Sequence, residues 1–391
     1  MTVRSIKTDI FFVGAIDWDR RIFDELIPLP EGTSYNAYLI KGSEKTALID
    51  SVDPVKQNEL LKNLKELGIE KLDYIITNHS EQDHSGAIPK LLEVYPMAMA
   101  VTNEKCKSFE MDLLDIPEDK FIVIKDNEIL SLGNKTLRFL LTPWVHWPET
   151  MVTYLEEDKI LFSCDFFGSH LATSDMYANK DPKVIESAKR YVAEIMMPFR
   201  TMVIKNIEKV AQFEIKMIAP SHGPIYDHPE KIIEAYRDWT SDHVKREVVI
   251  PFVSMHDSTR IMVDYLVDKL IKKGFVVKPF NLPVTDIGEL AMSLVDASTI
   301  IIGSPMVLSG AHPAAVYATF LANALRPKTK FVSIVGSYGW GGKMIDQLSG
   351  LISNLKVEVI EPVLAKGLPR EEDFRRLDVL IESLEEKHKP L

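Results

Sequence analysis

The chain has 391 residues, 46% apolar and 26% charged, which is enough for two domains that each bury a core. Its formal charge of −11 argues against a nucleic-acid partner, which needs a basic surface, and suits either docking to a basic redox protein or simply staying soluble. Two cysteines, Cys106 and Cys164, exclude a disulfide scaffold or a four-cysteine iron centre within these residues, and no stretch is apolar enough to span a membrane; a cytoplasmic protein is expected.

Taken in chain order, apolar runs over 46–49, 74–77, 137–141, 159–162 and 217–219 predict buried strands. Between the first two, Leu60, Leu61, Leu64 and Leu67 share one helical face and Gly68 supplies a stop, predicting a helix over 55–67. Amphipathic helices are predicted over 183–191 and 201–213. This mixture implies an α/β sandwich. Near residue 245 the texture changes to regular alternation, with strands over 248–253, 275–279, 299–303, 331–335 and 357–360. Helices follow over 259–273, 287–294, 314–325, 343–355 and 371–387. Five such units predict a doubly wound parallel sheet, so the expected domains are 1–246 and 247–391.

His79-Ser80-Glu81-Gln82-Asp83-His84 packs four potential metal ligands into six positions directly after an apolar strand. Unpaired carboxylates crowded this way repel one another, and a cation relieves the repulsion. His146, Asp165 and His222 each follow a predicted strand end, so all seven residues converge on one sheet edge. Four imidazoles and three carboxylates exceed the needs of one tetrahedral zinc and suit two metals sharing a bridging carboxylate. Without a thiolate, the set fits iron, manganese or zinc. Cys164 reads as a small buried filler, and His170 as a residue that lines the pocket.

This pattern resembles the metallo-β-lactamase superfamily, whose hydrolases carry His-x-His-x-Asp-His here; Glu81 replaces the second histidine. His79-x-Glu81-x-Asp83-His84 with His146, Asp165 and His222 is similar to the ligand set of flavodiiron proteins. The resemblance implies His79, Glu81 and His146 on one iron, and Asp83, His84 and His222 on the other, with Asp165 bridging. His84 is the position that solvent would replace. Asp17-Trp18-Asp19 and 32–36 also look family-like, whereas Phe23-Asp24-Glu25-Leu26 stands in place of the family's His-Gly-Tyr and removes a pocket histidine.

In the second half, Ser254-Met255-His256-Asp257-Ser258-Thr259 follows a strand and opens a helix, offering N–H groups and a dipole to a phosphate. The loop resembles the flavodoxin Thr-x-Thr-Gly-x-Thr phosphate loop, with Ser254, Ser258 and Thr259 at hydroxyl positions. Asp257 stands where glycine is usual and is expected to point outward, since its charge would repel a phosphate. Gly303-Ser304-Pro305 with Met306 and Val307, and the run Gly336-Ser337-Tyr338-Gly339-Trp340-Gly341-Gly342, lie at the next two strand ends. The resemblance marks both as loops that grip an isoalloxazine ring. Met306 and Leu308 depart from the usual Thr and Asn.

Together these features imply a metallo-β-lactamase-like αββα sandwich followed by a flavodoxin-like sheet. The implied enzyme is an oxidoreductase reducing dioxygen to water, nitric oxide to nitrous oxide, or both, with FMN and two iron ions. Its donor would be rubredoxin or a reduced deazaflavin, and its assembly a head-to-tail homodimer or a tetramer. Two rivals are a zinc hydrolase bearing a flavodoxin module, opposed by Glu81 and the flavin loops, and an FMN carrier with a degraded metal site, opposed by the complete ligand set.

Overall fold

The computed structural model describes residues 3–389, apart from the Lys180 side chain. The chain divides into two compact units, Met1–Tyr191 with Phe199–Thr240 and Val192–Pro198 with Ser241–Leu391.

In the first unit, one sheet runs in spatial order Arg4–Lys7, Ile10–Phe12, Tyr38–Lys41, Thr46–Ile49, Tyr74–Ile76, Met99–Asn103 and Phe121–Ile124. The second runs Ile129–Ser131, Thr136–Leu141, Met151–Leu155, Ile160–Cys164 and Met217–Pro220. Because strand side chains alternate between faces, Tyr38, Ile40, Ala47, Ile49 and Ile76 pack with Phe139, Met151, Leu155 and Phe162 of the other sheet in one dry core. Their neighbours Leu39, Leu48 and Ile75 face the opposite way and pack on Leu60, Leu64, Ile88 and Leu91 of the helices Gln57–Glu66 and Ile88–Val94. The two sheets are thus packed face to face, with helices outside, as the sandwich reading expects.

The second unit is a parallel sheet in the order Val276–Asn281, Lys245–Phe252, Ala297–Val307, Phe331–Tyr338 and Glu358–Val359. Consecutive strands therefore reverse direction of winding beside Lys245–Phe252, the flavodoxin-type order. Val248, Ile250 and Phe252 pack on Met262, Leu266, Leu377 and Leu384 of Ser258–Lys272 and Glu371–His388. Val249, Ile300, Ile302 and Ile334 pack on Leu290, Ala315, Ala318 and Leu348, which covers the other face.

Two differences from the sequence reading bear on the ligand edge. The strands expected to stop at 303 and 335 continue to Val307 and Tyr338, so Ser304 to Val307 and Ser337 are strand residues and not loop. Ser304, Pro305 and Ser337 sit in the ladder between these two strands, which apolar periodicity does not reveal. The edge is also completed by Val363–Lys366, paired with Phe331–Tyr338 after Glu358–Val359 ends. Among the described residues no helix is long and apolar enough to cross a membrane.

Candidate metal centre and ligand edge

Each of the seven predicted ligands lies at or just beyond a strand end. His79 follows Tyr74–Ile76, and the short helix Gln82–Ser85 then turns Asp83 and His84 inward. His146 comes from the loop after Thr136–Leu141, Asp165 directly follows Ile160–Cys164, and His222 stands two residues past Met217–Pro220. The structure brings all seven together in two groups, His79, Glu81, His146, Asp165 and Asp83, His84, His222.

Asp165 joins the groups. Its Oδ2 lies 3.5 Å from His79 Nε2 and 3.3 Å from His146 Nε2, while its Oδ1 lies 3.0 Å from His84 Nε2 and 3.4 Å from His222 Nε2. Glu81 Oε2 closes the first group at 3.1 Å from His79 Nε2 and 3.2 Å from His146 Nε2. Asp83 closes the second, with Oδ2 3.1 Å from His222 Nε2 and Oδ1 3.3 Å from His84 Nε2. All four rings therefore present Nε2 inward.

These residues are suited to metal ions and poorly suited to one another. Among the described residues, both oxygens of Asp83, both of Asp165 and both nitrogens of His84 are buried without a hydrogen bond of acceptable geometry, despite the short separations. Buried polar atoms are seldom left so, and a cation drawing on the same lone pairs accounts for them. The charge balance without metal points the same way. Burial works against charge on His222, yet Asp165 and Asp83 push it up to about 10. Burial likewise opposes His146, but Asp165 and Glu81 push it up to about 9. Asp165 resists the upward pull of burial because His84, His146 and His222 surround it, which holds it well below the usual range. Protons thus occupy the imidazoles that metal ions would displace.

Outer partners fix these ligands. His79 Nδ1 lies 2.7 Å from Glu149 Oε1, which also accepts from the Ser80 hydroxyl at 2.7 Å. His222 Nδ1 lies 2.6 Å from the Ser34 carbonyl, which sets it as the N–H and leaves Nε2 for the centre. Asp50 accepts from Asn78 N at 2.8 Å and Asn78 Nδ2 at 2.9 Å, and from the Ser221 hydroxyl at 3.3 Å, holding the loops of His79 and His222. Gly223 has φ +76°, and an added Cβ would lie 2.1 Å from Ser169 Oγ, so the turn after His222 requires glycine.

The surroundings of the second group are aromatic. The His170 ring lies 4.7 Å from that of His222, 4.9 Å from Tyr191 and 5.2 Å from Phe23. Burial holds His170 well below its ordinary value, and its Nδ1 is 2.9 Å from Thr33 Oγ1. Cys164 Sγ approaches His84 and Asp165, but burial pushes the thiol well up, so it stays a filler. Glu149 and Asp50 escaped the sequence reading, which marked Ser34 only as part of the family-like segment 32–36. Only Glu149, three residues after His146, offered a signal, a carboxylate close behind a candidate ligand.

In the second unit, the loop 253–257 and the start of helix Ser258–Lys272 carry Ser254, Met255, His256, Asp257, Ser258 and Thr259. Asp257 is exposed at φ +62°, the left-handed conformation that glycine takes most easily, and its carboxylate does not cap the helix. Ser258 N donates to the His256 carbonyl at 2.9 Å and Arg260 N to Ser254 Oγ at 3.2 Å, which fixes the loop at the helix start. Thr259 Oγ1 and Ser337 Oγ lie 3.1 Å apart, tying the first loop to the strand that bears Gly336. A Cβ on Gly336 would meet the Ser304 carbonyl at 2.0 Å, so the two strands approach as only glycine permits. Met306 and Val307 pair with Ala311 and Gly310 in a hairpin. Tyr338 ends its strand, and Gly339, exposed Trp340 and Gly341 follow it. All of these lie at the sheet's carboxyl edge.

Residues 33–223 match the family model described as ODP family beta lactamase. A nitric oxide reductase of Moorella thermoacetica is 35% identical over 383 residues, covering 95% of each chain. The chain belongs to the flavodiiron proteins. Among solved structures, the rubredoxin oxygen:oxidoreductase of Desulfovibrio gigas superposes with a TM-score of 0.94 at 29% identity, covering 98% of both chains. The flavodiiron protein of Giardia intestinalis gives 0.91 at 26% identity, covering 99% of this chain and 97% of that one.

Two outcomes are expected. Glu149→Ala removes the acceptor from His79 Nδ1, and metal affinity should fall about 10–100-fold in a chelator competition; unchanged affinity would mean that Glu149 does not orient His79. For metal-free protein, folded-state values of His146 and His222 above the ordinary 6.5 give stability that is complete below that pH and lost as pH rises through about 9 and 10. Its Tm should therefore fall over that window, and that of metal-loaded protein should fall less; parallel curves would refute the charge pairing.

Proposed function

We propose that this flavodiiron protein is an FMN- and di-iron-dependent oxidoreductase that reduces dioxygen to water, nitric oxide to nitrous oxide, or both. The observation that carries the reading is Asp165, whose two oxygens each face a separate pair of imidazoles. His79, Glu81 and His146 would hold one iron, and Asp83, His84 and His222 the other, with Asp165 shared. His84 Nε2 already faces Asp83 and Asp165, which supports a histidine over solvent at that position. The residues 1–246 form the iron-binding part and 247–391 the FMN-binding part in this reading. The phosphate would rest on the loop from Ser254 to Thr259, and the ring against Ser304 to Val307 and Ser337 to Gly341.

FMN held on the second unit's loops would supply one-electron transfer, and an iron pair held by the seven ligands would supply a redox-active binding site for the diatomic gas. The chain's own residues set the conditions. Glu149 and the Ser34 carbonyl hold two imidazoles in the tautomer that directs Nε2 inward. Three carboxylates offset most of the charge of two cations. Phe23, Tyr191 and His170 pack against one another beside the second group, and their rings would limit water there. Rubredoxin or a reduced deazaflavin is the proposed donor, and a head-to-tail homodimer, possibly paired as a tetramer, the proposed assembly.

Iron and flavin quantitation, followed by oxygen- and nitric-oxide-electrode assays with reduced donor on the same sample, tests this. Two irons and one FMN per chain with turnover of at least one gas are expected. Bound zinc with hydrolysis of a thioester and no gas reduction would overturn it. Glu81→His should cost at least about tenfold in gas reduction and shift occupancy toward zinc.

A further inference from the structure

His170 lies in the loop that follows Asp165 and is only partly buried, yet its Nε2 is shut from solvent and, among the described residues, has no hydrogen-bond partner. The nitrogen is turned inward, where an unmet polar atom is costly. Three links tie the residue to the second ligand group. Its ring lies 4.7 Å from that of His222. Its Nδ1 is 2.9 Å from Thr33 Oγ1, which also lies 3.5 Å from His222 Nδ1. Next to it, Ser169 N donates to the His222 carbonyl at 3.1 Å. The charged groups that bear on the ring are His222, Asp165, His84 and Glu81, all of them predicted ligands.

Burial, and then the charge of His222, keep the imidazole neutral, so it carries one proton. The contacts decide which nitrogen holds it. The Thr33 hydroxyl can donate to His170 Nδ1 at 2.9 Å or to the Ser34 carbonyl at 3.4 Å. That carbonyl already accepts from His222 Nδ1 at 2.6 Å, so the shorter bond prevails and His170 Nδ1 is the acceptor. The proton then sits on Nε2. The other neighbours of the ring, Phe23 at 5.2 Å and Tyr191 at 4.9 Å, offer only aromatic faces and edges, which are weak acceptors. A buried donor without an acceptor, beside residues arranged for cations, suits an anion or a molecule that gains negative charge on binding a metal.

Resting on the iron-binding reading above, we infer that His170 Nε2 donates a hydrogen bond to the exogenous ligand of the second metal position, the one set by Asp83, His84 and His222, and so favours ligands with negative charge on the outer atom. The proton stays on the ring, so His170 selects and orients without transferring it. Thr33 is a positioning residue, because its hydroxyl proton fixes the tautomer.

Azide, an anion that is not turned over, serves as the probe. Infrared spectra of oxidised, iron-loaded full-length protein should show an azide band that shifts between H2O and D2O. In His170→Phe that isotope shift should vanish and azide affinity should fall about tenfold or more, the loss of one hydrogen bond to a charged group. His170→Gln keeps a donor and should retain part of both. Thr33→Val leaves the ring in place but frees its tautomer, and should broaden or split the band at unchanged iron content. With two irons bound, a wild-type protein that binds no azide, a band unmoved by D2O, or unchanged azide affinity in His170→Phe overturns the inference and leaves the proposed function standing. Should the phenylalanine variant fail to fold, Thr33→Val decides, and a band identical to that of the wild type overturns the inference. Failure of the wild type to bind iron overturns both readings and is seen separately in the metal count.

Discussion

Three carboxylates and four imidazoles share one buried space, and that density of charge is the constraint from which the rest of the metal-binding unit follows. At the effective dielectric of a protein interior, the repulsion among Glu81, Asp83 and Asp165 is too large to leave uncompensated. Protonated imidazoles compensate it in the absence of metal, which is why His146 and His222 lie far above their ordinary values. Metal ions would do so more completely, because they would also use the lone pairs of Asp83 and Asp165 that no donor among the described residues satisfies. The sandwich supplies the stiffness this arrangement needs. Its ligands hang from strand ends in two face-to-face sheets, and the dry core between them fixes those ends.

Outside the ligands, the chain spends its buried polar groups on orientation. Glu149 and Ser34 direct two rings, while Asp50 and Asn78 link the loops of His79 and His222. Tyr38 OH and Asn36 Nδ2 hold the Pro220 carbonyl at 2.7 and 2.8 Å, which fixes the backbone just before His222. In the second unit the same task falls to backbone shape. Asp257 takes a left-handed conformation, and Gly336 allows two strands to meet without a side chain between them.

Much of this was legible in the sequence, for definite reasons. Thr46–Ile49 and Ile287–Leu294 appear with the bounds that periodicity predicts, because their apolar runs end at polar or turn residues. The seven converging residues were legible because ligand spacing and strand ends are both local properties. The hidden parts depend on tertiary contact. Nothing local distinguishes Asp50 from a turn former. Ser304 and Ser337 read as loop because polar residues rarely extend a strand, yet the parallel ladder between Ala297–Val307 and Phe331–Tyr338 carries both. The short strands over 15–17, 22–23, 27–28 and 33–35 carry too few residues to show a period.

The central claim is that one carboxylate-bridged cage holds two metal ions. Anomalous-difference maps from iron-loaded crystals, recorded on both sides of the iron absorption edge, test it most directly. The account predicts two separate iron peaks flanking Asp165, one among His79, Glu81 and His146 and the other among Asp83, His84 and His222. A single peak, or density only at zinc energies, would contradict it.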